Sequence, residues 1–194
     1  VLRIIAGEYR SRLLLTPPGE VTRPMAARAK ESIFNLLRGW FEDATVLDLF
    51  AGVGTMGLEA VSRGAARVVM VERDRSVFKL LQANIAALGC EDRASAIQGD
   101  ALSVALLGSV PRPVDVVFID PPYALMEQEE SRQRVLEQVA RCRGLMGEQG
   151  FLVLRTPVDP ERVDHAVPGL AGPEVHRHRQ QMAVLLYAPA PILP

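Results

Sequence analysis

The sequence predicts an α/β protein built on a mostly parallel sheet, and three observations carry that prediction. From "ATVLDLF" at residue 44 onward, short β-branched runs alternate with segments of helical periodicity, the pattern of βαβ units with right-handed crossovers. A glycine-rich stretch, "FAGVGTMG", falls between the first of these strands and the helix after it. The run "VDVVFI" reads as a strand covered on both faces. It stops at Asp120-Pro121-Pro122-Tyr123, where proline has no N–H to offer a ladder.

Taken in order, "LRIIAG" and "SRLLLTPPG" read as two short strands joined by a turn, a hairpin ended by Pro17-Pro18-Gly19. The next segment has Pro24 near a helix start and apolar residues at Ile33, Leu37, Trp40 and Phe41, which is helical spacing. Strands follow near 45–50, 67–72, 94–98, 114–120 and 150–155, with helices near 55–63, 75–88, 101–107 and 127–142. Residues 157–173, rich in Pro, Gly and Asp, read as loop, and "QQMAVLLYA" as a last strand. The predicted organisation is a hairpin extension over 1–20, a main domain over 21–188 and a flexible tail over 189–194.

At 194 residues and 48% hydrophobic content the chain suits one domain with a sizeable core. No apolar run approaches the roughly 18 residues of a membrane span. Cys90 and Cys142 lie far apart, outside any metal-ligand spacing, and predict reduced thiols in a cytoplasmic, metal-free protein. The net charge is −1, but residues 1–38 hold seven basic side chains against three acidic ones, a local +4. Arg10, Arg12, Arg23, Arg28 and Lys30 are the candidates for phosphate contacts. "HRHR" at 176–179 has two histidines without a third ligand and reads as a solvated patch.

Gly52, Gly54 and Gly57 satisfy G-x-G-x-x-G, and Glu72 follows Gly52 by 20 residues, where an acid can take ribose hydroxyls. A dinucleotide would bring an anionic pyrophosphate to this turn, and Asp48 would repel it. S-adenosylmethionine carries an ammonium and a sulfonium instead. Asp48, Glu72 and Asp100, at the ends of three consecutive strands, therefore point to that methyl donor as the cofactor. Asp74 and Asp100 also suit helix N-caps. At the other corner, the Asp120 carboxylate and the Pro121 carbonyl can each accept one N–H of an exocyclic amino group. Pro121 and Pro122 supply stiffness, and Tyr123 can stack on a base.

These pieces, with "RIIAGEYRSRLL" and "TRPMAARAKESIFNLL", resemble the bacterial 16S ribosomal RNA guanine-N2 methyltransferases over roughly residues 2–155. The resemblance implies a Rossmann-like class I methyltransferase sandwich with a seven-stranded sheet and an antiparallel last strand. It also implies an N-terminal hairpin that helps grip ribosomal RNA within a small-subunit particle. It places the donor against Asp48, Phe50, Ala51, Gly52, Gly54, Glu72, Arg73, Asp100 and Ala101, and the target amino group at Asp120 and Pro121. The chain departs from that pattern at Met25-Ala26-Ala27, at Arg155, where the family often has an acid, and at Gln180. Competing readings are a DNA adenine-N6 or cytosine-N4 methyltransferase, which usually carries an added recognition segment, and a protein glutamine methyltransferase. A nicotinamide-dependent oxidoreductase leaves Asp120–Tyr123 unexplained, and a non-catalytic RNA-binding module would not bind the donor.

Overall fold

The computed structural model describes residues 2–18, 24–178 and 182–190. Its strands β1 (Thr45–Asp48), β2 (Arg67–Glu72), β3 (Ala94–Gln98), β4 (Val114–Ile119), β5 (Met146–Thr156), β6 (Leu170–His178) and β7 (Met182–Pro189) form one mixed sheet in the order β3-β2-β1-β4-β5-β7-β6, the arrangement that the class I methyltransferase resemblance implies. The chain divides into two compact units, Val1–Ala101 and Leu102–Pro194.

The first unit holds α1 (Pro24–Leu36), β1 (Thr45–Asp48), α2 (Gly57–Ser62), β2 (Arg67–Glu72), α3 (Arg75–Leu88) and β3 (Ala94–Gln98). β1 and β2 pair in parallel, as do β2 and β3. The β-branched runs of β1 and β2 are buried on both faces, whereas β3, at the sheet edge, is half exposed. Ile33, Phe34, Leu37 and Phe41 form the buried face of the first helical segment, and burial of such side chains stabilises by about 1.5–3 kcal/mol each. Trp40, expected on that face, is 39% exposed.

The N-terminal segment corrects the hairpin expectation. Among the described residues it shows one isolated antiparallel bridge, Arg3 to Leu13, rather than a two-stranded ladder. Its backbone bonds partly to itself, from Ile4 N to Arg12 O and from Leu14 N to Leu2 O, and partly to helix side chains. Glu59 of α2 accepts from the Ile5 and Ala6 amides at 2.7 and 3.0 Å, and Ser62 Oγ accepts from the Tyr9 amide and donates to the Ala6 carbonyl. Gly7 packs so tightly that a β-carbon there would lie 1.7 Å from the Ser62 carbonyl oxygen. Farther along, the buried Asn84 of α3 bonds both backbone groups of Leu15 and donates to the Val53 carbonyl inside the glycine turn. The segment is a strap stitched to α2 and α3.

The second unit holds α4 (Val104–Leu107), β4 (Val114–Ile119), α5 (Tyr123–Glu127), α6 (Glu129–Cys142), β5 (Met146–Thr156), β6 (Leu170–His178) and β7 (Met182–Pro189). The helix expected over 127–142 begins one turn earlier and breaks at Gln128, whose backbone is extended. β4 and β5 are parallel, and β7 runs antiparallel to both β5 and β6. β6 crosses into the segment read as loop. It is an edge strand interrupted by Gly172-Pro173 and carries polar residues, so it lacks the apolar run that marks an interior strand. Residues 191–194, the end of the expected tail, lie outside the described residues.

Candidate active site

Parallel pairing brings the carboxyl ends of β1, β2 and β3 to one edge of the first unit, with Asp48 and Glu72 as the last residues of their strands and Asp100 two residues past its own. Backbone hydrogen bonds from Ala51 N to Val71 O and from Gly99 N to Glu72 O stitch the three ends together. Glu72 accepts from the Gly52 amide at 3.0 Å through Oε2 and from the Asp74 amide at 2.6 Å through Oε1. Each carboxylate oxygen keeps further acceptor capacity for a hydroxyl. Asp48 is 1% exposed, and its Oδ2 accepts from the Gly57 amide at 3.0 Å, which braces the start of α2. Gly57 is there for contact: a β-carbon would lie 2.5 Å from Met70 Sδ.

Asp74 caps α3, as expected, and its hydrogen bonds from Ser76 and Val77 hold its carboxyl below the ordinary range. Asp100 and Arg73 are exposed, Phe50 is half-buried, and Ala51, Gly54 and Ala101 are buried. The residues fit S-adenosylmethionine. Where a Gly52 side chain would project there is no atom within 4 Å, which leaves open space above a turn tied to Glu72. The three acids suit a ligand whose polar groups donate hydrogen bonds and carry positive charge.

The corner in the second unit is built by β4 and β5. Their register pairs Ile119 with Leu154, so the next residues, Asp120 and Arg155, fall side by side. Arg155 Nε lies 2.5 Å from Asp120 Oδ1, and its guanidinium carbon lies 5.8 Å from the Tyr123 ring centre. Burial pushes the Asp120 carboxyl up from its usual range, and the Arg155 charge opposes that shift. Pro121 is buried, while Pro122 precedes α5 with an extended backbone. Tyr123 begins that helix and is 38% exposed, so its ring is accessible for stacking. The corner thus combines a carboxylate, a stiff carbonyl and an aromatic face. Arg155, a departure from the family pattern in the sequence, is brought to this corner by the strand register.

The basic candidates separate. Arg10 and Arg12 are exposed on the strap, although Arg12 also donates to the Ala87 carbonyl at 2.7 Å. Arg23 and the side chain of Arg28 lie outside the described residues. Lys30 is no phosphate contact: it is 5% exposed, with Nζ 3.0 Å from Glu59 Oε2 and donating to the Arg3 carbonyl. Arg38 is exposed and lines a surface cleft with Arg10 and Arg63. In the "HRHR" patch, His176 pairs with Glu174, and Arg177 with Asp159 and Glu161. Among the described residues no helix is long and apolar enough to cross a membrane.

Comparison with known proteins extends over nearly the whole chain. The family model described as conserved hypothetical protein 95 matches residues 2–184. Ribosomal RNA small subunit methyltransferase D of Escherichia coli K12 is 34% identical over 190 residues, spanning 96% of this chain and 89% of that protein. The protein of the same name from Haemophilus influenzae is 38% identical over 127 residues, 63% of this chain and 64% of its own length. Among solved structures, the yhhF protein of Escherichia coli superimposes with a TM-score of 0.79 at 30% identity, covering 97% of both chains. A hypothetical protein of Thermus thermophilus, TTHA0928, gives a TM-score of 0.70 at 30% identity, covering 96% of this chain and 98% of its own.

Proposed function

The chain belongs to the conserved hypothetical protein 95 family, and we propose from that premise that it is an S-adenosylmethionine-dependent methyltransferase acting on ribosomal RNA. The finer reading is transfer to the exocyclic N2 amino group of a guanine in small-subunit RNA. The observation that carries it is the Asp120-Pro121-Pro122-Tyr123 corner at the end of β4, in a chain whose near-full-length relative is named for that class of RNA.

When bound, S-adenosylmethionine supplies an electrophilic methyl group. The chain's residues then have two tasks. Glu72, Asp48 and Asp100 hold the donor through its hydroxyl, ammonium and adenine amino groups, with Phe50, Ala51, Gly52, Gly54, Arg73 and Ala101 around it. Asp120 and the Pro121 carbonyl accept the two N–H bonds of the target amine. An aromatic amine is a weak nucleophile because its lone pair is delocalised into the ring. Two acceptors on its hydrogens favour a pyramidal nitrogen and turn that lone pair out of the plane. The alkylated nitrogen is acidic, so its proton leaves to solvent and Asp120 need not act as a strong base. Tyr123 stacks on the base. Arg10 and Arg38 on the exposed surface suit the RNA backbone.

The test supplies labelled methyl donor with small-subunit particles, naked ribosomal RNA and DNA in parallel, followed by mass spectrometry of the nucleosides. N2-methylguanine in RNA, lost in Asp120→Ala while donor binding stays within a few-fold, is the expected result. Label in DNA adenine or in no acceptor, or full activity of Asp120→Ala, overturns the reading.

A further inference from the structure

Arg155 touches both of the side chains that the corner would use on a base. Its Nε lies 2.5 Å from Asp120 Oδ1, and its guanidinium carbon lies 5.8 Å from the Tyr123 ring centre. The contact follows from the fold: in parallel register with Ile119–Leu154, the side chains one residue on emerge together. Both members are partly withdrawn from water, Arg155 with 22% and Asp120 with 28% of the side chain exposed. An amino group needs only an acceptor here, so the donor chemistry alone does not account for a cation.

We infer that Arg155 is a positioning residue for methyl transfer: it takes one oxygen of Asp120, leaves Oδ2 aimed at the target amine, and sets the carboxylate in register with the Tyr123 ring. A carboxylate at the end of a strand otherwise rotates among several orientations, and a displacement of about 1 Å at a reacting group costs on the order of 100-fold in rate. Among the described residues, Arg155 is the charged group acting on the Asp120 carboxyl, and it opposes the upward push of burial. Arg155 thus favours the ionised form of the acceptor that it orients. The inference rests on the methyltransferase reading.

The test uses the full chain and the RNA acceptor on which the wild type is active. Arg155→Leu is expected to lower kcat by about 10- to 100-fold, with the KM for the donor within about threefold of wild type. The acid limb of the kcat–pH profile should move to higher pH, because the group that pulled the Asp120 carboxyl down is gone. Arg155→Lys should recover part of kcat and return the acid limb toward its original position. A merely structural arginine would not move that limb. If the wild type transfers methyl and Arg155→Leu matches it in kcat and pH profile, the positioning role is refuted and the methyltransferase reading survives. A wild type that methylates no acceptor removes the reading and the inference together.

Discussion

Replacing Glu59 by alanine isolates what the strap owes to one buried carboxylate. Glu59 is fully buried and accepts from four donors: the Ile5 and Ala6 amides at 2.7 and 3.0 Å, Lys30 Nζ at 3.0 Å and Arg63 Nε at 2.9 Å. Its removal strands the Lys30 ammonium, which keeps only the Arg3 carbonyl at 2.9 Å among its described hydrogen-bond partners. Burial already pushes the Lys30 pKa down, and Glu59 is the charge that opposes this. Removing one partner of a buried pair costs about 3–5 kcal/mol. For a chain of this size, at about 2–4 °C per kcal/mol, the melting temperature should fall by roughly 6–20 °C. Lys30→Met should cost less, about 1–3 kcal/mol, because Glu59 retains Arg63 and two amides. Urea unfolding followed by circular dichroism reads both values. A Glu59→Ala variant that loses under about 1 kcal/mol, or a Lys30→Met variant that loses more, would refute the network as described. Lys30→Met should also leave RNA affinity unchanged, since the ammonium faces the interior.

Three further outcomes are expected. Glu72→Ala should weaken donor binding by about 1–3 kcal/mol, because the ligand and the Gly52 amide both lose an acceptor; unaltered affinity in calorimetry would take Glu72 out of the site. Arg10→Glu should weaken RNA binding and flatten the slope of log affinity against log salt, and an unchanged slope would clear the strap of phosphate contact. Burial pushes the Cys90 thiol up to about 11 and Cys142 to about 12 from an ordinary value of 9.0. The native state thus holds protons that the unfolded chain releases, so stability from Cys90 is full below about pH 9 and is lost as pH rises toward about 11. At pH 8 a disulfide reagent should titrate both thiols only after denaturation, and prompt reaction of the native protein would contradict their burial.

Much of this was legible in one dimension because the parallel core advertises itself. β1, β2 and β4 are largely apolar runs that end at, or just before, an acid, and the glycine turn and the proline corner fall between fixed neighbours. What escaped depends on partners distant in sequence. In the N-terminal segment Ile4 and Leu14 do turn inward, but the Ile5, Ala6, Tyr9 and Leu15 amides are met by Glu59, Ser62 and Asn84, which no local pattern announces. Lys30 looked like part of a basic patch because counting charge cannot see burial. β6 escaped because an edge strand with polar residues and a Gly-Pro step resembles a loop. The Asp120–Arg155 pair exists only once the register of β4 on β5 is known.

Asn84 clamps the strap at Leu15 and the glycine turn at Val53 with one buried amide, so neither can open without stranding a polar group that water does not reach. In deuterated solvent the two stretches should trade their protons in a single concerted event. A small molecule that quiets the turn would then slow isotope uptake at the strap, on residues it never meets.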